Sequence, residues 1–63
     1  MKVGNLYKIL YPHQKIRIIN YITNLDTGVC DKYDDKVVEC IHHEIDKISI
    51  CGDVLRIEVK DNG

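Results

Sequence analysis

The stretch Lys47-Ile48-Ser49-Ile50-Cys51-Gly52-Asp53-Val54-Leu55-Arg56-Ile57-Glu58-Val59 constrains the fold of this chain more than any other. Two runs rich in β-branched and aliphatic residues flank Gly52-Asp53, a two-residue hairpin signal. A turn of that length sets the register. It pairs Cys51 with Val54, Ile50 with Leu55, Ser49 with Arg56, Ile48 with Ile57 and Lys47 with Glu58. Ile48, Ile50, Leu55 and Ile57 then share one buried face, while Ser49, Arg56 and the opposite-charge pair Lys47–Glu58 share the other. A single hairpin is marginal in water, so this one predicts a larger sheet with a covering layer.

The N-terminal segment supplies a candidate for that layer. Val3, Leu6, Tyr7 and Leu10 fall at i, i+3, i+4 and i+7, the stripe of an amphipathic helix. Pro12 ends it near Leu10 or Tyr11, and a helix of two turns persists only when docked. Lys15 to Thr23 reads as a strand. If it is regular, Ile16 and Ile18 face the helix, and Lys15, Arg17, Ile19 and Tyr21 face away. Asn24-Leu25-Asp26-Thr27-Gly28 carries turn chemistry, with Gly28 suited to a positive φ, and a returning strand is expected from about Val29 to Tyr33.

Asp34-Asp35 marks a second turn. The stretch after it, Lys36 to Asp46, has two readings. Val37, Val38 and Ile41 suit a strand from Lys36 to about Ile41, followed by a polar turn at His42-His43-Glu44. The spacing of Val37, Ile41 and Ile45 also suits a short helix capped by Asp34. The strand is the working expectation. Asp61-Asn62-Gly63 is a polar tail. The expected fold is therefore α+β, one domain over residues 1–63, with a short N-terminal helix packed on a four-stranded, mostly antiparallel sheet.

Size and composition bound what such a fold can do. The 63 residues include ten Ile but neither Phe nor Trp, so the core is built from branched aliphatics. Below roughly 70–80 residues one core rarely supplies more than about 3–5 kcal/mol. Cys30, Cys40 and Cys51 are an odd count, which argues for free thiols in a reducing compartment rather than a disulfide framework. Self-association is then the expected support: a homodimer formed through the sheet, with Ile19 and Ile22 at the interface. No apolar run is long enough to span a membrane, and Met1-Lys2-Val3-Gly4-Asn5 lacks the apolar core of a signal peptide. The cytoplasm is the expected compartment.

Chemistry-bearing constellations are sparse. The three Cys and three His show none of the paired spacings of a structural zinc site. Cys40 and His42 would share one side of a strand, yet a nucleophilic pair needs a lowered thiol pKa and a pocket. Asp31, Asp34 and Asp35 lack the ligand spacing of a calcium loop, and His13 beside Pro12 reads as a loop residue. No catalytic residue, metal site or cofactor is assigned. Lys15, Arg17 and Tyr21 share one face of the first strand, where they can serve phosphates and bases or a protein partner. Nine basic residues against ten acidic ones argue against a dedicated duplex-DNA binder.

At Met1-Lys2-Val3 to Lys15-Ile16-Arg17-Ile18-Ile19, and again at Ile48-Ser49-Ile50-Cys51-Gly52-Asp53-Val54-Leu55-Arg56-Ile57-Glu58-Val59, the chain resembles very small proteins encoded by phages and prophages of low-GC Gram-positive bacteria. Those proteins open with a short helix, continue into a Lys-Val-Arg-Ile type of strand and close with a hairpin. The likeness covers about half the chain, and its motifs are fold patterns rather than catalytic signatures. Some proteins of this size and genomic type are anti-defence factors, including anti-CRISPR proteins. The resemblance implies a non-enzymatic accessory protein that binds and inhibits a host defence component in the host cytoplasm, with a host protein as target. No functional residue carries over with it. The alternative is a small nucleic-acid-binding sheet using Lys15, Arg17 and Tyr21.

Overall fold

A computed structural model describes residues 1–60; the polar tail expected at Asp61-Asn62-Gly63 lies outside the described residues. The elements run α1 (Val3–Tyr7), β1 (Lys15–Asn20), β2 (Leu25–Asp26), α2 (Asp35–Val38), β3 (Ile45–Cys51) and β4 (Val54–Val59). The strands form one sheet in the order β2-β1-β4-β3. The outer pairs are antiparallel and the central β1–β4 pair is parallel. The α+β expectation holds, with a four-stranded, mostly antiparallel sheet.

All five expected hairpin pairs are present, from Cys51↔Val54 to Lys47↔Glu58. Gly52 takes φ 65°, as the first position of a type II′ turn requires. Beyond Lys47 the ladder shifts, with Ile45 opposite Val59 and Asp46 left over as a bulge. Side chains alternate along a strand, so Ile45 would share the face of Lys47 without that extra residue. With it, Ile45 turns toward the covered face and packs on the core.

The core lies between that face and the two helices. Ile16 and Ile18 of β1 and Ile57 and Val59 of β4 are buried against Val3 of α1, and Val37 and Cys40 close the layer. Lys32 ties the end of α1 down: its ammonium donates to the carbonyls of Tyr7 (3.0 Å) and Leu10 (3.1 Å) and sits 4.7 Å from the centre of the Tyr7 ring. A cation there meets the unpaired carbonyls of the last turn. The helices cover β1 and β4 but do not reach β3. Ile48 and Ile50 therefore stay 44% and 69% exposed, although the expected register gave them a buried face.

Five sequence expectations need correction. α1 ends at Tyr7, with Lys8 as its C-cap, rather than near Leu10 or Tyr11. β1 stops at Asn20 rather than Thr23, because the buried Asn20 carboxamide oxygen accepts from the backbone N–H groups of Ile22 (3.0 Å) and Thr23 (3.4 Å) and turns the chain. Asn24, at φ 61°, completes the reversal. Consequently Leu25–Asp26, expected inside a turn, is the strand that returns alongside β1. The expected strand over Val29–Tyr33 shrinks to one bridge between Cys30 and Ile16. Finally, Lys36–Ile41 is not a strand.

In that last stretch the helical reading prevails. The Asp34 carboxylate accepts from the Lys36 N–H at 3.0 Å, and the Asp34 carbonyl accepts from Val37 and Val38. Val37 and Cys40, three apart, both point into the core. The cap decides between two conformations that the valines tolerate equally. Asp34→Ala is expected to lower unfolding stability by about 1 kcal/mol in urea titration, with Asp34→Ser retaining most of it.

Candidate partner-binding groove

The open face of the sheet carries the residues singled out from sequence. Arg17 and Tyr21 come together there, but their polar groups are already engaged. The Arg17 guanidinium donates to Asp26 at 2.9 Å through Nε and 2.5 Å through Nη2. The Tyr21 hydroxyl donates to Glu58 Oε1 at 2.9 Å and accepts from Arg56 Nη2 at 2.6 Å. Arg56 in turn lies 3.5 Å from Glu58. Lys15 sits at the far end, 3.9 Å from Asp53. The face is charge-balanced rather than basic.

Ile19 and Ile22 part company. Ile22 is 55% exposed in the turn after β1, while Ile19, flanked in register by Asp26 and Glu58, is only 8% exposed. The bare apolar surface expected at Ile19 is thus covered within the chain. A side chain already buried has little area to offer a second molecule.

A different surface is concave. The N–H groups of Val3 and Gly4, at the start of α1, donate to the carbonyls of His43 (2.9 Å) and Ile41 (2.8 Å). That contact demands a close backbone approach, and a Cβ on Gly4 would lie 3.0 Å from the Ile41 oxygen. Between α1 and the turn following α2 lies an open groove of about 330 Å³. Gly4, Val38 and Ile41 form its apolar part, with Lys2, Lys8 and His42 among its other lining residues, and among the described residues no carboxylate lines it. The volume falls at the lower end of the range for small-ligand and side-chain pockets.

Sequence reading missed this groove. Its two walls are at least thirty positions apart, and no local pattern links them. The only trace was that Lys2 and Lys8 fall off the apolar stripe of α1 and that Val38 and Ile41 exceed what the core absorbs.

Burial raises the thiol pKa of Cys30 and of Cys40, so both are neutral, poor nucleophiles at pH 7. Among the described residues no group of His, Cys, Asp and Glu is placed to hold a metal ion. Likewise, among the described residues no helix is long and apolar enough to cross a membrane. No protein-family model matches the chain, and neither a curated protein nor a solved structure gives a significant match.

Two measurements check this geometry. The hydrogen bonds from Arg17 and from the Gly28 N–H hold the Asp26 carboxyl well below the usual carboxylate range. A lowered folded-state pKa contributes stability above the unfolded value near 3.9, lost as pH falls. Wild-type stability should therefore drop between about pH 5 and pH 2, and Asp26→Asn should flatten that decline in acid-titrated unfolding curves. In a thiol-labelling time course on the folded protein, exposed Cys51 should react first and buried Cys40 last.

Proposed function

We propose that this chain is a non-enzymatic, phage-type accessory protein that acts by binding and inhibiting a host defence component, and that the groove beside α1 is the contact. The observation that carries the reading is the groove itself, with an apolar part, two lysines and a histidine around it, and no acid among the described residues that line it. Charge complementarity then selects the occupant: a segment of the target protein presenting an aliphatic side chain next to carboxylates. The resemblance to small phage and prophage proteins supplies the anti-defence part of the proposal.

The nucleic-acid alternative has weaker support. Lys15, Arg17 and Tyr21 are each opposed by a carboxylate of the same face, so little positive potential is left for phosphates.

The test is a plasmid-interference or phage-plating assay over a panel of bacterial defence systems. Wild-type protein is expected to relieve at least one of them. The double reversal Lys2→Glu/Lys8→Glu, on exposed positions that leave the core intact, should weaken target binding by about tenfold or more, roughly 1.4 kcal/mol. Relief that survives the reversal undiminished would remove the groove from the mechanism, and no relief across the panel would remove the anti-defence reading. Gel-shift titration with single-stranded DNA at two salt concentrations should show no complex that depends on Lys15 and Arg17.

A further inference from the structure

The groove leaves one prominent feature unused. The sheet has two edges, and they are treated differently. On one side β1 is closed off by β2, by the Cys30–Ile16 bridge and by the Thr27 hydroxyl, which accepts from the Ile18 N–H. On the other side β3 runs for seven residues, and Asp46 to Cys51 are all exposed. Among the described residues, cover is confined to its start, where the Ile45 N–H donates to the Met1 carbonyl. The edge beyond carries Ile48 and Ile50, with neither proline nor charge between Lys47 and Asp53. Monomeric sheets ordinarily guard such an edge.

The turn fixes which backbone groups point outward. In a two-residue hairpin the closing pair, here Cys51 and Val54, exchanges both hydrogen bonds, and such pairs alternate along the ladder. Ser49 and Lys47 therefore bond to β4, whereas the N–H and C=O groups of Ile48 and Ile50 point away from it. Two residues of one parity thus present four backbone groups along the free edge.

We propose that this edge pairs with a second copy of the chain, antiparallel, about a two-fold axis at Ser49. That register sets Ile48 opposite Ile50 of the second copy and Ile50 opposite its Ile48. All outward groups on these residues are satisfied, in four hydrogen bonds. The four isoleucines meet on one face, next to Leu55 and Ile57, and both sets of helices lie on that side of an eight-stranded sheet. The charges also agree. Lys47 faces Cys51 of the second copy, near the end of the hairpin that bears Asp53, and no like charges are opposed. Shifting the axis to Ile48 sets Asp46 against Ile50, and shifting it to Ile50 sets Ile48 against the turn glycine. Ser49 is the centre that uses the whole edge. A chain of 7.3 kDa has the small core for which such a partner is a common support. This interface is separate from the groove, so either proposal can fail without the other.

At Ser49 the two chains meet in a non-hydrogen-bonded pair, with Cα atoms about 4.5 Å apart, inside the range that a disulfide spans. In a Cys51→Ala background, Ser49→Cys should cross-link to a covalent dimer under oxidised glutathione, at least about tenfold faster than Lys47→Cys, whose position faces residue 51. Wild-type protein should run as a dimer by light scattering at about 10–100 μM, and Ile48→Lys/Ile50→Lys should run as a monomer with unchanged circular dichroism. Both substitutions lie on exposed positions, so the fold tolerates them. A wild-type monomer of 7.3 kDa over that concentration range overturns the proposal. So does a dimer that persists in the double lysine variant, or a Ser49→Cys protein that cross-links no faster than Lys47→Cys.

Discussion

Ile16 and Ile18 on β1 lie beside Leu55 and Ile57 on β4 in a parallel pairing, and the rest of the structure is arranged around that contact. Three of these four side chains have no exposed surface. Parallel neighbours cannot be joined by a tight turn, so everything between Asn20 and Val54 must travel round the molecule. That path supplies β2, α2 and β3. It also accounts for the helical cover, because a parallel pair left bare on its apolar face would be unstable. α1 reaches the same face from the N-terminal side and is held there by two backbone hydrogen bonds to the turn after α2.

The two faces of the sheet meet different requirements. Beneath the helices the chain uses aliphatic packing with one buried carboxamide, that of Asn20, which reverses the chain. On the open face it uses paired charges: Arg17 with Asp26, Arg56 with Glu58, and Tyr21 bridging the latter pair. The Arg17–Asp26 pair is open to solvent and individually weak, and the Arg56–Glu58 pair is half-buried. Their main consequence is that basic residues, which look available when read along the strand, are neutralised in space. The groove beside α1 differs in that its lining among the described residues includes Lys2 and Lys8 and no carboxylate.

How much was legible depended on the distance over which each decision is made. The hairpin register was readable pair by pair, because a two-residue turn and the period of two are local. The apolar stripe was readable for the same reason, and Val3, Leu6, Tyr7 and Leu10 all contact the core, although α1 stops at Tyr7 and leaves Leu10 beyond the helix. Lys36–Ile41 was ambiguous because valine and isoleucine fit a strand or a short helix, and a single capping carboxylate settled it. Leu25–Asp26 was misplaced because Asn20 formed the turn earlier than Asn24-Leu25-Asp26-Thr27-Gly28 suggested. The groove was invisible, since Gly4 and Ile41 meet only after the fold is complete.

The sequence by itself determined the class of fold, the aliphatic core and the pairing of β3 with β4, all of which follow from alternation, turn length and composition. Tertiary structure alone decided that β1 and β4 lie parallel at the centre, and so which isoleucines are buried. Ile48 and Ile57 are direct partners with similar local surroundings, yet one is 44% exposed and the other fully buried. The difference is position in the sheet. Ile57 lies on a central strand under the helices, while Ile48 lies on an edge that two short helices are too small to cover.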